Sequence, residues 1–99
     1  MGNQLTVIAH VRARKGQEAK VLKILLALVK PTRAERGCID YRLHQSKDDP
    51  TKFVFYENWV TPEHLAAHAK SAHIEESRKL LLGLIVGKVK IGLWKEVDL

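Results

Sequence analysis

The sequence predicts a small α+β domain whose elements follow one another as β-α-β-β-α-β. Residues 5–14 alternate between apolar and polar side chains, which is the period of a half-buried strand. Two runs rich in aromatic and β-branched residues, 38–46 and 52–60, are separated by the turn-forming segment 47–50. Apolar residues at helical spacing follow the first strand and follow this hairpin as well.

These periods predict the first strand and the first helix. One face of the strand is apolar and carries Leu5, Val7, Ala9, Val11 and Ala13. The helix then presents an apolar stripe, with the lysines mostly outside it, made of Ala19, Leu22, Leu25 or Leu26, and Val29. Pro31 interrupts helical hydrogen bonding, so we expect the helix to reach about Lys30 and to resume as a turn through Arg36.

The second helical region has a clear start signal. Thr61 supplies a hydroxyl N-cap, and Pro62 stands at the first helical position, where its missing N–H costs nothing. Ser71 is expected to break or re-cap the helix, which then continues from Ile74 to Leu84. A last strand is predicted from the alternation of Val89, Ile91 and Leu93 with Lys88, Lys90, Gly92 and Trp94.

This order of elements is the ferredoxin-like arrangement, a four-stranded antiparallel sheet with both helices on one face. The other sheet face then needs an explanation. Its candidate residues, Tyr41, Tyr56, Ile8 and Val54 or their alternates, are too apolar for a solvated surface. A second copy of the chain is the natural cover, and we expect a homodimer.

Length and composition limit the class of protein. The 99 residues, 45% of them apolar and 28% charged, suit one globular domain spanning 1–99. No signal peptide or membrane-length apolar run is evident, so the cytoplasm is the expected compartment. The net charge of +6 is spread along the chain rather than clustered, which argues against a nucleic-acid surface and favours an ordinary solvated one.

Three motifs in order resemble the antibiotic biosynthesis monooxygenase family. They are a Gly-Cys-x-x-Tyr strand at 37–41, a Tyr-Glu-x-Trp strand at 56–59 and a Ser-x-His-Ile step at 71–74. The resemblance covers nearly the whole chain. It implies sheet-to-sheet dimerisation into an α/β barrel, with a ligand pocket inside each protomer between its helices and its sheet.

Candidate site residues come from the second and third motifs. Phe53, Phe55, Glu57 and Trp59 share strand parity, and the resemblance turns that face toward the pocket. Trp59 and Phe55 are then candidates to stack an aromatic ligand, with Glu57 as a substrate-binding residue, although aromatic residues in such a strand also serve as core. His73 is the candidate base through the Ser-x-His-Ile match, with His68 second, against a capping or packing role.

Two other possibilities are weaker. His64 and His68 lie four residues apart on one helical face, a spacing that metals use, but no third ligand falls at a recognisable position. We therefore expect no metal. Cys38, the single cysteine, has no adjacent base in the sequence and is expected to be a structural thiol rather than a nucleophile.

The resemblance implies a cofactor-independent monooxygenase that uses molecular oxygen on a phenolic or quinol-type aromatic molecule. The alternatives are a non-catalytic binding or stress-response module and an isomerase of a phosphorylated signalling molecule on the same fold. A haem-degrading branch of the superfamily is disfavoured because its asparagine, tryptophan and histidine are absent here. Ala9 or Val11, His68 and Arg78 stand near those positions.

Overall fold

A computed structural model describes residues 4–98 and confirms the predicted order of elements. Two helices replace each of the two predicted helical regions. The elements are β1 Leu5–Arg12, α1 Glu18–Leu26, α2 Val29–Arg33, β2 Cys38–Gln45, β3 Lys52–Trp59, α3 Pro62–Ala69, α4 Ala72–Leu81 and β4 Lys90–Trp94. The strands form one antiparallel sheet in the order β2-β3-β1-β4, which is the ferredoxin-like order.

The strand parity read from the sequence places the core correctly. On β1 the predicted apolar face is buried, from Val7 through Ala9 to Val11. On β3 all four residues of the predicted face are buried, namely Phe53, Phe55, Glu57 and Trp59. Because antiparallel partners share a face, these two sets meet side by side beneath the helices.

The first helical region breaks earlier than predicted. Helix α1 ends at Leu26, and α2 restarts at Val29 with Pro31 inside its first turn. The proline ring clashes with the carbonyl four residues before it, so the chain must leave the α1 path near Ala27 rather than at Lys30. Both predicted caps downstream are confirmed, because Thr61 accepts a hydrogen bond from the His64 N–H and Ser71 accepts one from the Ile74 N–H.

Tyr41 lies on the opposite sheet face from the one expected. The register of β2 against β3 shifts between Cys38 and Asp40, and beyond this irregularity Tyr41 pairs with Glu57 on the helix-covered face. Tyr41 is 2% exposed and belongs to the core. The other three candidates for the outer face, Ile8, Val54 and Tyr56, do line that face together, and Tyr56 is 40% exposed.

Gly37 allows the chain to turn into β2 beneath α3. Its φ of 83° lies in the left-handed region that favours glycine. A Cβ at this position would collide with the imidazole ring of His64. The turn therefore depends on glycine for both its conformation and its space.

Strand β4 is an edge of the sheet and is bonded only to β1 among the described strands. Its inner-face residues Ile91 and Leu93 are 62% and 61% exposed, so the wall they form is open to solvent. Lys88, Lys90 and Lys95 flank them and are exposed. Within residues 4–98, no helix is long and apolar enough to cross a bilayer.

Candidate functional site

A cavity of about 510 Å³ lies between the inner face of the sheet and the helices. Its walls are mainly aliphatic, with Val7 and Ala9 from β1 and Leu65 from α3. The polar side chains that reach it are few, and they are Tyr41, Glu57, His68, Ser77 and Arg78. An apolar cavity with a small number of convergent polar groups is the usual form of a small-molecule site.

Glu35 binds two histidines with one carboxylate oxygen. Its Oε2 lies 2.7 Å from Nδ1 of His68 and 2.7 Å from Nε2 of His73. Glu35 stands in the turn after α2, His68 lies near the end of α3, and His73 lies in the first turn of α4. Since an ionised carboxylate can only accept hydrogen bonds, both of these ring nitrogens act as donors when Glu35 is charged.

This contact fixes the tautomer of His68. With Nδ1 donating to Glu35, the lone pair of the neutral ring is on Nε2. Burial lowers the pKa of His68 below its usual value, and the hydrogen bond with Glu35 opposes that effect only in part. The ring, which is 6% exposed and lines the cavity, is therefore neutral near pH 7 and able to take up a proton.

Glu57 is a buried carboxyl group on the same cavity wall. Its Oε1 accepts a hydrogen bond of 2.9 Å from Nε1 of Trp59, two residues along the strand. Burial raises the pKa of Glu57 to about 7, the Trp59 hydrogen bond acts in the opposite direction, and the charge of Glu35 raises it further. Near neutral pH this residue is thus poised between acid and carboxylate.

Aromatic rings stack against each other at the same wall. Tyr41 and Phe55 lie with ring centroids 4.6 Å apart and planes inclined by 26°. The His68 ring stands edge-on to Tyr41 at 5.6 Å and tilted against Trp59 at 4.7 Å. Phe55, Tyr41 and His68 therefore bring three aromatic rings together at the cavity wall.

The structure divides the sequence-predicted site residues into two groups. Phe55, Glu57 and His68 line the cavity. Trp59, with 0% of its surface exposed, lies behind this lining and contacts Glu57 and His68. His73 likewise lies outside the lining and reaches the site through Glu35.

Glu35 was missed by the sequence analysis. It lies close to Arg33 and Arg36 in the chain, a pattern typical of a surface carboxylate in an ordinary ion pair. Its partners are 33 and 38 positions away, so no local spacing could reveal them. Its one signal in the sequence is its position two residues before the Gly-Cys-x-x-Tyr motif.

His64 and Cys38 take no part in the cavity wall. Nδ1 of His64 pairs with the Thr61 hydroxyl at 2.8 Å, while His68 pairs elsewhere. Burial, with the nearby charge of Glu35, raises the pKa of Cys38 to about 11, which keeps it a thiol.

The donor atoms of Glu35, His68 and His73 lie within 4.8 Å of one another, a spacing that a metal could bridge, but hydrogen bonds already join them.

Comparison with known proteins places this geometry in a family. The chain is 33% identical to PA3566 of Pseudomonas aeruginosa, whose crystal structure superposes with a TM-score of 0.92 over 99% of this chain and 98% of that one. It is 29% identical to Rv0793 of Mycobacterium tuberculosis, a protein provisionally named a monooxygenase, over 99% of this chain and 96% of that one. The structure of Rv0793 superposes with a TM-score of 0.89.

A third relative is longer. The uncharacterized protein sll1783 of Synechocystis is 20% identical over 92% of this chain, which spans only 62% of that protein. The family model described as antibiotic biosynthesis monooxygenase matches residues 4–80. Because this match covers most of the chain, the protein belongs to the antibiotic biosynthesis monooxygenase family, which supports a monooxygenase-like function in general terms.

Proposed function

We propose that the protein is a cofactor-independent monooxygenase acting on a phenolic or quinol-type aromatic molecule. The observation that supports this most directly is His68, a neutral imidazole on the wall of an apolar cavity, oriented by the Glu35 carboxylate. A base held in one tautomer by a carboxylate is ready to remove a phenolic proton. In this proposal Glu35 is the positioning residue and His73 holds Glu35 in place.

The substrate supplies the electrons for the reaction. Loss of a proton to Nε2 of His68 gives an electron-rich quinol anion, which passes electrons to oxygen and forms a hydroperoxide on the ring. The O–O bond then breaks, one oxygen atom stays on the ring, and the other leaves as water. For 1,4-naphthohydroquinone the balance is one quinol plus one O₂ giving one 2-hydroxy-1,4-naphthoquinone and one water.

The cavity suits a flat molecule of this kind. Phe55 and Tyr41 provide the ring surface, and Glu57 provides a hydrogen-bonding group at its edge. The mainly aliphatic lining lowers the polarity around the anion. Exclusion of water, which would raise the reactivity of the anion toward oxygen, requires that the open wall of Ile91 and Leu93 be covered. Trp59 supports this arrangement from behind by holding Glu57 and packing on His68.

Oxygen labelling tests the proposal. We would mix anaerobic 1,4-naphthohydroquinone with buffer containing ¹⁸O₂ and analyse the quinones by mass spectrometry. The enzyme is expected to add one labelled atom to the ring, whereas uncatalysed autoxidation gives unlabelled 1,4-naphthoquinone and hydrogen peroxide. His68→Asn should fall to the background, and Glu76→Gln, an exposed residue of α4 outside the cavity, should match wild type.

The main alternative predicts a different result. A non-catalytic binding module would bind the quinol tightly and quench tryptophan fluorescence, yet would yield only the autoxidation products. An isomerase of a phosphorylated molecule would need a phosphate site, and Arg78 is the one arginine or lysine that reaches the cavity among the described residues. Tight binding without labelled product across several quinols would replace the monooxygenase proposal with the binding module.

We also propose that a second copy covers the outer sheet face. Ile8, Val54 and Tyr56 form an apolar strip on that face, bordered by Asp40, Arg42 and His44. Trp94, on the same side of β4, is 59% exposed. A monomer rarely leaves so much apolar surface on a sheet in water. An isologous pairing of these faces would remove it from solvent in both copies at once.

A further inference from the structure

Three potential metal-binding atoms from separate segments of the chain meet beside the cavity. They are Oε2 of Glu35, Nδ1 of His68 and Nε2 of His73, and all lie within 4.8 Å of one another. Glu35 comes from the turn after α2, His68 from α3 and His73 from α4. The monooxygenase proposal uses Glu35 and His73 only to orient His68, yet two imidazoles and a carboxylate are also the ligands of known zinc sites.

The cluster is partly buried and has a route to solvent. The exposed fraction of the side chain is 17% for Glu35, 8% for His68 and 24% for His73. His68 is fixed between the rings of Tyr41 and Trp59, so one ligand is already held in place. An ion can approach from the side of His73, which gives the site the entry path that metal binding requires.

The spacing of the three atoms is close to what a zinc ion needs. Zn²⁺ binds imidazole nitrogen and carboxylate oxygen at about 2.0–2.2 Å in tetrahedral geometry, which separates neighbouring ligand atoms by roughly 3.3 Å. Oε2 of Glu35 now lies 2.7 Å from each nitrogen. The carboxylate would therefore withdraw slightly while the two rings approach each other. Two imidazole ligands favour Zn²⁺ over Mg²⁺ or Ca²⁺, which prefer oxygen ligands.

The charges around the cluster suit a divalent ion. One carboxylate and two neutral imidazoles reduce the charge of the complex to +1. Arg78 acts electrostatically on His68 and opposes a cation there. Glu57, whose charge interacts with that of Glu35, acts in the opposite direction when it is ionised. Ligation by Glu35 then leaves a modest charge that these neighbours largely balance.

We propose that Glu35, His68 and His73 form a Zn²⁺ site, and that the bound ion reverses the hydrogen-bonding role of His68 at the cavity. A neutral imidazole carries one proton on its two nitrogens. In the metal-free protein this proton is on Nδ1, which donates to Glu35, and Nε2 accepts. A zinc ion at Nδ1 uses the lone pair of that nitrogen, so the proton must lie on Nε2.

Zinc is therefore expected to inhibit the protein reversibly rather than to serve as its cofactor. Each ring loses the proton of its ligating nitrogen to solvent and gains one on its other nitrogen, so no net proton is released and nothing is oxidised. Nε2 of His68 then donates a hydrogen bond into the cavity and cannot take a proton from a substrate. This effect on activity rests on the proposed function, whereas zinc binding and the change of tautomer do not.

Calorimetric titration of the metal-free protein with ZnCl₂ tests the site itself. Wild type should bind one ion per chain. Glu35→Gln and His73→Asn should each weaken binding by at least roughly 10²-fold, because even residues that only support a metal ligand contribute tenfold to 100-fold. Two matched controls should bind as wild type does. They are Glu76→Gln, an exposed glutamate on α4, and His64→Asn, a histidine on α3 that pairs with Thr61.

Nitrogen-15 NMR of the histidine rings tests the change of tautomer in the unmodified protein. Long-range proton–nitrogen spectra distinguish a ring protonated on Nδ1 from one protonated on Nε2. Without metal, His68 should show the Nδ1–H form, and one equivalent of Zn²⁺ should convert it to the Nε2–H form. His73 should change in the opposite sense, and His64 should not change. Because this measurement needs no substitution, it identifies the ligands even if a variant is unstable.

Several outcomes would overturn the proposal. These are no saturable zinc binding, affinity unchanged in both Glu35→Gln and His73→Asn, or a zinc-loaded His68 that keeps its proton on Nδ1. In the ¹⁸O₂ experiment Zn²⁺ should inhibit wild type, and His73→Asn should need at least roughly 10²-fold more of it. Zinc binding with the change of tautomer but no labelled product would preserve the site and refute the monooxygenase. Labelled product without zinc binding would do the opposite.

Discussion

Oε2 of Glu35 lies 2.7 Å from Nδ1 of His68, across 33 positions of sequence. If this pair acts as we propose, activity should rise with pH through the pKa of His68, which burial places below its usual value. The base must be neutral to accept a proton, so activity is lost on the acid side.

Glu35→Gln tests this positioning role. The hydrogen bond and the charge of Glu35 both raise the pKa of His68, so their loss should move the acid limb of the pH profile to lower pH. At the same time kcat should fall by roughly 10²-fold, because the weaker base is also poorly oriented. Measurement of kcat and KM against pH separates this from simple damage to the fold, which would leave the limb where it is.

His68 and His73 should differ as bases. His68→Asn is expected to lower the rate by roughly 10²-fold to 10⁴-fold, because its ring faces the cavity, whereas His73→Asn should cost about tenfold or less through Glu35. The rates of both variants should be unchanged by EDTA. A larger loss of rate in His73→Asn than in His68→Asn would identify His73 as the base. A rate that is lost with chelator and restored by Zn²⁺ would instead identify Glu35, His68 and His73 as ligands of a catalytic metal.

Much of this arrangement followed from local patterns. The parity of β3 placed Phe55, Glu57 and Trp59 on the helix-covered face, and the caps at Thr61 and Ser71 set where α3 and α4 begin. These features depend on neighbours within a few residues, which a sequence displays directly.

What escaped prediction depends on tertiary contact. The irregular register between Cys38 and Asp40 puts Tyr41 on the same face as Cys38, three residues away, which regular alternation from Cys38 does not predict. Glu35 acquires its role only when α3 and α4 bring His68 and His73 to it. Trp59 had the expected orientation but not the expected exposure, because side chains closer to the cavity cover it.

Glu57 should make stability depend on pH. Its pKa is about 7 in the folded protein, against 4.5 for an ordinary glutamate, so above pH 4.5 the unfolded chain releases a proton that the native state retains. The free energy of unfolding should therefore fall, by roughly 3 kcal/mol between pH 4.5 and 7, and then level off. Urea denaturation across this range should show the decline in wild type.

The same measurement on variants isolates the carboxyl group. Glu57→Gln should remove the part of the decline in unfolding free energy that Glu57 causes. Any pH dependence that remains would come from other titrating groups such as His68. Trp59→Phe removes the hydrogen bond that holds the pKa of Glu57 down, so its decline should extend to higher pH. Identical pH profiles in wild type and Glu57→Gln would show that Glu57 titrates normally.

Gly37→Ala should destabilise the protein more than Gly16→Ala. Both glycines have positive φ, 83° and 90°, so each alanine incurs backbone strain of about 1–3 kcal/mol. Only the Cβ at residue 37 meets another group, the His64 ring, whereas that at residue 16 points into open space. Denaturation midpoints that shift equally would mean that His64 moves aside without cost.

The outer sheet face should hold a dimer. We expect wild type to sediment as a dimer at micromolar concentration, with an interface of at least about 2,000 Å² in total. Tyr56→Lys should weaken it by placing a charge in the apolar face, whereas Ala67→Lys, on the exposed side of α3, should leave it unchanged. A stable monomer in the wild-type protein would refute the proposed dimer.

The position of β4 at the edge of the sheet affects the solubility of the protein. As an edge strand it exposes one row of unpaired backbone donors and acceptors, and such a row can template the addition of foreign strands and so start aggregation. Ile91 and Leu93 are exposed on this strand, and their apolar side chains would favour such aggregation. Lys88, Lys90 and Lys95 place positive charges along this edge, so two such edges repel each other before they can pair.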